Sequence, residues 1–147
     1  MTLASKLTVP ETELRAMHDH ALAGYPYEAC GLLVGHPDRA EVVRFVPCAN
    51  VANSARVYTI DPREHLRAER EAETHGLEII GVMHSHTHSE AYPSPTDVAQ
   101  APDPAWHYLI VTLARGVPEA RSFRIDQAAA GGRQIAEEDV STSYWLA

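Results

Sequence analysis

Gly81-Val-Met-His84-Ser-His86-Thr-His88-Ser-Glu-Ala-Tyr-Pro-Ser94-Pro-Thr-Asp97 carries the most information in this chain. It begins inside an apolar run, Leu77 to His84, of the kind that forms a central strand. A polar loop follows, Ser85 to Pro93. Ser94-Pro95-Thr96-Asp97 then opens a helix, with serine as N-cap, proline at the first helical position and aspartate at the third. Side chains on a strand repeat with period two, so His84 and His86 share a face at the strand end. Two imidazoles placed so reach one ion at about 2.0–2.1 Å, and the loop can fold the Asp97 carboxylate back onto it. Two histidines and one carboxylate leave a tetrahedral position open, which marks a catalytic zinc rather than a structural one. Such a zinc brings the pKa of a water to near 7 and polarises a carbonyl, so the remaining need is a base. Plainer readings stand beside this one. The pair His86 and His88 has the same spacing, and Ser94 with Asp97 is fully explained as a capping box.

Outward from that stretch, Asp61-Pro62 opens a clear helix through Thr74 that Gly76 closes. Cys30 to Gly35 is a short apolar run between glycines and reads as a buried strand. His36 to Arg39 turns the chain into a second strand, Glu41 to Val46. Val57 to Ile60 reads as a third. Thr8 to Ala23 reads as a first helix, with Pro10 near its start, Glu11 and Glu13 favouring its N-terminal end, and Leu14, Met17, Ala21 and Leu22 as its buried stripe. His107 to Leu113 and Arg121 to Ile125 are strands, Gln134 to Glu138 is a candidate last one, and Asp139 to Ala147 is unassigned. Helices and strands mixed around one sheet give an α/β or α+β class.

The 147 residues, 45% of them hydrophobic, fit one domain with its own core. A net charge of −8 argues against nucleic acid and against an anionic membrane surface. The N-terminus lacks the apolar run of a signal peptide, and no stretch approaches the roughly 20 apolar residues of a membrane span. The expectation is a cytoplasmic protein. Cys30 and Cys48 cannot form a cysteine-rich zinc site and read as free thiols, with a disulfide as the other reading.

The order HxH, seven residues, Ser, two residues, Asp resembles the JAMM (MPN-plus) motif, here His84-Ser-His86, Thr87 through Pro93, Ser94 and Asp97. That family also places a glutamate just before a Cys-Gly-Leu-Leu strand, and this chain has Pro26-Tyr-Glu28-Ala-Cys30-Gly-Leu-Leu-Val-Gly35. The resemblance runs from the first helix to about Ile125. It implies one JAMM/MPN-like domain over 1–147, with a mixed, cytidine-deaminase-like β-sheet flanked by helices. It also implies zinc held by His84, His86 and Asp97, a general base at Glu28, and an oxyanion donor at Ser94. Most members have proline after the second histidine, where this chain has Thr87. The run around Thr87 and Tyr92 resembles a bacterial subgroup, the Mec-type peptidases, which release cysteine from the C-terminus of a small ubiquitin-like sulfur-carrier protein. The expected partner is therefore such a carrier, with no nucleic acid and no membrane. A homodimer is an allowed assembly.

Other readings remain open at this point. Relatives of the family cut isopeptide bonds to ubiquitin-like modifiers, and a non-catalytic MPN scaffold would only bind partners. A cupin-like metal module would use Glu90 after the HxH pair, but needs a mostly β barrel and differently placed glycines. An amidohydrolase barrel needs about 250 residues. His88 is expected as an exposed loop residue and His107 as a satisfied core histidine. Cys30 is expected as a small core residue rather than a nucleophile, and Tyr92 and Trp106 as packing residues.

Overall fold

Alternation of Leu7 and Val9 with more exposed neighbours makes Lys6–Pro10 a strand, β1, rather than the start of the first helix. Helix α1 therefore begins later, at Glu11–Gly24, behind Pro10 as N-cap. The remaining order is β2 (Cys30–His36), a 3-10 turn, β3 (Glu41–Cys48), α2 (Pro62–Thr74), β4 (Glu78–His86), α3 (Pro95–Ala99), β5 (His107–Thr112), β6 (Glu119–Ile125) and β7 (Ile135–Ser143). The structure, a computed structural model, describes residues 5–127 and 134–143. Two expectations shift. Val57 to Ile60 is an irregular segment with a single bridge, Asn50 to Ile60. The segment left unassigned is β7 as far as Ser143, and its last residues, 144–147, lie outside the described ones.

The sheet is mixed and closes on itself in the order β1-β3-β2-β4-β5-β6-β7. β1 makes the closure, pairing in parallel with β3 on one side and β7 on the other. β4 and β5 are also parallel, and the other neighbours are antiparallel. Helix α1 places Met17 and Ala21 among Leu7, Val9, Leu33, Phe45, Met83 and Leu109. Helix α2, capped by Asp61, which accepts the Arg63 N–H at 2.8 Å, lays Ala68 against Cys30, Leu32 and Cys48 on the other face. Gly76 ends that connection at φ +69°, a left-handed conformation that costs glycine least. Among the described residues no helix is long and apolar enough to cross a membrane.

Strand β4 decides where the histidines point. Its pairing with β2 runs Leu33 with Gly81 and then Val34 with Ile79, so Ile80 is skipped as a bulge. A bulge reverses the in–out alternation beyond it. Ile80 thus joins Met83 on the α1 face, while Val82, His84 and His86 share the opposite one. Next to the bulge, Gly81 lies against β5 so closely that a Cβ would sit 2.1 Å from the His107 carbonyl oxygen.

His107 is the satisfied core histidine expected. Its Nδ1 is 2.6 Å from Glu138, and Ser122 donates to the same carboxylate at 2.7 Å. Burial alone would raise the Glu138 carboxyl, but the bonds from His107 and Ser122 hold it below its ordinary value. Cys30 and Cys48 face one another across β2 and β3 as free, buried thiols, each pushed by burial up to about 12. Neither is a thiolate nucleophile at neutral pH.

Gly81→Ala is expected to destabilise the fold by about 1–3 kcal/mol, because the neighbour it meets is backbone and cannot rotate away. The thermal unfolding midpoint should fall by several degrees. An unchanged midpoint would mean that β4 and β5 separate freely at this point.

Candidate metal centre

Three buried side chains converge at the C-terminal end of β4. His84 Nε2 and His86 Nε2 are 3.2 Å apart, and Asp97 Oδ2 is 3.2 Å from the first and 3.1 Å from the second. Donors held about 2.0–2.1 Å from one ion at tetrahedral angles sit roughly 3.3–3.4 Å apart. The triangle is therefore close to the size that a tetrahedral ion requires, and two imidazoles with one carboxylate suit a borderline ion better than calcium or magnesium. The residues fit a zinc-type site.

Each corner is held by its own local structure. Asp97 is the third residue of α3, and its Oδ2 accepts the Ser94 N–H at 2.8 Å while Ser94 Oγ accepts the Asp97 N–H at 3.0 Å. The capping-box reading and the ligand reading of this pair hold together: one carboxylate oxygen caps the helix and meets both imidazoles. Burial would raise the Asp97 carboxyl, but His84, His86 and the Ser94 N–H hold it well below the usual range. His86 donates Nδ1–H to the Glu90 carbonyl at 2.7 Å, which leaves Nε2 with the lone pair. His84 Nδ1 has no such partner among the described residues. Its ring is fixed instead by stacking on Tyr58, with centroids 4.5 Å apart and planes at 21°. Burial lowers the His84 pKa, which keeps the imidazole neutral.

Glu28 precedes β2 and is buried, and its Oε1 has no hydrogen-bond partner among the described residues. Burial pushes its carboxyl up to about 7, with His86 pulling it down and Asp97 pushing it further up. Glu28, His86 and Ser94 line one cavity of about 530 Å³. Ser85, between the two histidines, points the other way. Its Oγ accepts the Ala29 N–H at 2.8 Å and its own N–H donates to the Ala29 carbonyl at 2.9 Å. This clamp ties the residue after Glu28 to the strand that carries the triangle. The Ser94 hydroxyl proton has no acceptor among the described residues, because its oxygen only receives the Asp97 N–H.

The remaining expected residues fall elsewhere. His88 is exposed and outside the triangle, its Nε2 3.2 Å from the Tyr25 hydroxyl. Glu90, the ligand a cupin would need, is exposed and turned to Arg115 at 3.1 Å. Tyr92 is half exposed and meets Phe123 edge-on, and Trp106 packs with the cluster around Tyr108. Tyr58, Ser85 and Asn50 were not singled out in the sequence. The first two act through a ring stack and a backbone clamp that have no sequence period. Asn50 carries an Asx-turn signature, since its Oδ1 accepts the Ala52 N–H two residues on.

Comparison with known proteins gives the family and the fold. The family described as prokaryotic homologs of the JAB domain matches residues 10–126. A CysO-cysteine peptidase of Mycobacterium bovis is 37% identical over 129 residues, covering 87% of this chain and 85% of its own length. A Thermus thermophilus protein named "Probable TtuB-protein conjugate cleaving protease" is 38% identical over 131 residues, covering 88% of this chain and 80% of its own. A solution structure of a Desulfitobacterium hafniense protein superposes with a TM-score of 0.83 at 34% identity, over 95% of this chain and 94% of that one. Matches of this extent, in sequence and in fold, show that the chain belongs to the prokaryotic JAB-domain family of JAMM-type hydrolases.

Proposed function

We propose that this chain is a zinc peptidase that hydrolyses the amide joining cysteine to the C-terminus of a small ubiquitin-like sulfur-carrier protein. The observation that carries the reading is the buried, unpartnered Glu28 carboxylate in the same cavity as the His86 and Ser94 side chains. His84, His86 and Asp97 would hold the ion. When bound, zinc supplies Lewis acidity, polarising a carbonyl and making water a nucleophile near neutral pH.

The protein's own groups account for the remaining steps. Glu28 takes one proton from the attacking water as its oxygen adds to the amide carbon. Ser94, whose hydroxyl proton is uncommitted, donates to the carbonyl oxygen as that oxygen gains charge. The carbon–nitrogen bond then breaks, and Glu28 returns the proton to the departing amine. The products are a carrier ending in a free carboxylate and a free amino acid, so water's atoms are fully accounted for. Tyr58 and Ser85 position His84 and the Glu28 backbone respectively.

Support for the substrate comes from three directions. The Thr87-to-Tyr92 run resembles the Mec-type subgroup, and a named CysO-cysteine peptidase is a relative over 87% of the chain. A glycine tail lacks the Cβ that would keep its backbone from a buried centre. Two unpaired buried thiols fit a reducing compartment. The other reading, removal of a modifier from a protein conjugate, is favoured by the name of the Thermus thermophilus relative.

Gently purified protein should hold about one zinc per chain by metal analysis. His86→Ala should lose it, and His88→Ala should keep it, since His88 lies outside the triangle. Equal loss in both would move the site along the chain, and iron in place of zinc would point to a different class of centre.

Glu28→Gln should retain zinc while hydrolysis falls about 10²–10⁴-fold. Near-wild-type turnover in that variant would place the base elsewhere.

Incubation of zinc-loaded enzyme with a carrier ending Gly-Gly-Cys should remove the mass of one cysteine residue, as read by mass spectrometry. Cleavage of a lysine-linked conjugate with no loss of cysteine would transfer the activity to deconjugation.

A further inference from the structure

Arg56 lines the same cavity as Glu28, His86, His88 and Ser94, and neither the metal triangle nor the water chemistry uses it. Its place there is not left to a free loop. Asn50 donates Nδ2–H to the Glu28 carbonyl at 2.9 Å and to the Val57 carbonyl at 3.0 Å. Asn50 Oδ1 receives the N–H groups of Ala52 and Thr59, both at 3.0 Å. The Glu28 N–H donates to the Ser54 carbonyl at 2.8 Å, and Ser54 Oγ accepts the Arg56 N–H at 3.0 Å. The backbones of Arg56 and Glu28 therefore belong to one hydrogen-bonded frame.

The charge on Arg56 is also uncommitted. Arg15, Arg44, Arg115 and Arg121 each meet a carboxylate, whereas Arg56, like Arg39, Arg67, Arg70 and Arg124, meets none among the described residues, and of these five it is Arg56 that lines the cavity with Glu28. In a chain of net charge −8, this sets an exposed arginine on the wall of the cavity that Glu28 also lines. Without it the cavity would present Glu28 to any anion and repel it.

A second cavity, of about 450 Å³, is lined in part by Tyr58, the residue whose ring stacks on His84. It is mostly apolar, with Leu32, Ile60, Val82 and Trp106 in its walls. The two cavities differ in character, the one with Glu28 carrying the charged side chains. The amine that leaves takes its proton from Glu28, so the leaving residue belongs in the polar cavity, which also holds Arg56. The volume there, about 530 Å³, lies within the roughly 300–1,000 Å³ of small-molecule sites. A C-terminal residue carries its α-carboxylate two bonds from the scissile nitrogen. A lysine side chain joined through its ε-nitrogen carries no carboxylate near that atom.

We propose that Arg56 binds the α-carboxylate of the leaving residue, so that the site selects amides to a free C-terminal amino acid over isopeptide conjugates. The guanidinium fork matches a carboxylate in two parallel hydrogen bonds, which an ammonium cannot reproduce. This assignment rests on the peptidase reading above and adds the chemical class of its leaving group.

The test compares three substrates on zinc-loaded full-length enzyme: a carrier ending in Gly-Gly-Cys as the free acid, the same carrier as the C-terminal carboxamide, and the same tail joined to the ε-nitrogen of lysine. Wild-type enzyme should prefer the acid to the carboxamide by about 10- to 100-fold in kcat/KM, the worth of a hydrogen-bonded charge. Arg56→Ala and Arg56→Gln should bring that ratio close to one, with Arg56→Lys intermediate, while zinc content and unfolding midpoint match wild type. If wild-type enzyme cuts the acid and the carboxamide equally well, or if the ratio survives in Arg56→Ala, the role of Arg56 is overturned and the peptidase reading stands. If only the lysine-linked tail is cut, the substrate reading and the carboxylate role fail together.

Discussion

One carboxylate oxygen, Asp97 Oδ2, accepts the Ser94 N–H and lies within 3.2 Å of both imidazole nitrogens. The requirement on this atom organises much of the surrounding structure. A cap fixes an aspartate only to its own helix, so the helix itself must be brought over the strand end. The segment from Thr87 to Pro93 does this, with Ala91 fully buried in the cluster beneath it and the Thr112 hydroxyl donating to the Ser89 carbonyl at 2.6 Å. Without an ion, three such groups packed together and away from water are an expensive arrangement. A positive ion between them would relieve that cost, and its binding would then be linked to the order of this end of the sheet.

The sheet supplies the opposite half of the centre through register. The bulge at Ile80 sets the face on which His84 and His86 emerge, and the close approach at Gly81 holds β4 against β5 beyond it. Ser85 uses the other face of the same strand to clamp Ala29, which brings Glu28 to the triangle. Three consecutive residues thus carry a donor, a clamp and a donor. A shift of one residue in register would exchange their roles and dismantle the centre.

Much of this was legible in the chain. The Asp61-Pro62 start, the Gly76 stop and the apolar strands follow from local chemistry, whereas spacing alone leaves His86 and His88 as an equal pair, and it is the resemblance that implies the set His84, His86 and Asp97 which the fold brings together. The first strand was hidden for a physical reason. Pro10, Glu11 and Glu13 are helix-start signals, and they masked the short alternation of Leu7 and Val9 just before them. Val57 to Ile60 misled in the opposite sense: its β-forming residues serve to place Tyr58 on His84 and Ile60 in the core, without a strand partner. Contacts between distant segments, such as the Tyr58 stack, the Ser85 clamp and the Asn50 frame, have no period to read.

The closure of the sheet through β1 also governs how an extended peptide can be received. A strand at the rim of an open sheet offers a row of unpaired amides and carbonyls to which another chain can add, in aggregation or in recognition. Here β1 sits between β3 and β7, with Lys6 to Pro10 in register with Asp139 to Ser143. The seam takes up the β7 rim along five residues, while β3 meets β1 at one register pair, Thr8 with Glu41. The β7 side of the barrel is thereby guarded against strand addition, whereas β3 beyond Glu41 has no register partner in β1. The irregular segment around Asn50 to Ile60 lies outside the sheet ladders, so its residues can change without rebuilding the barrel.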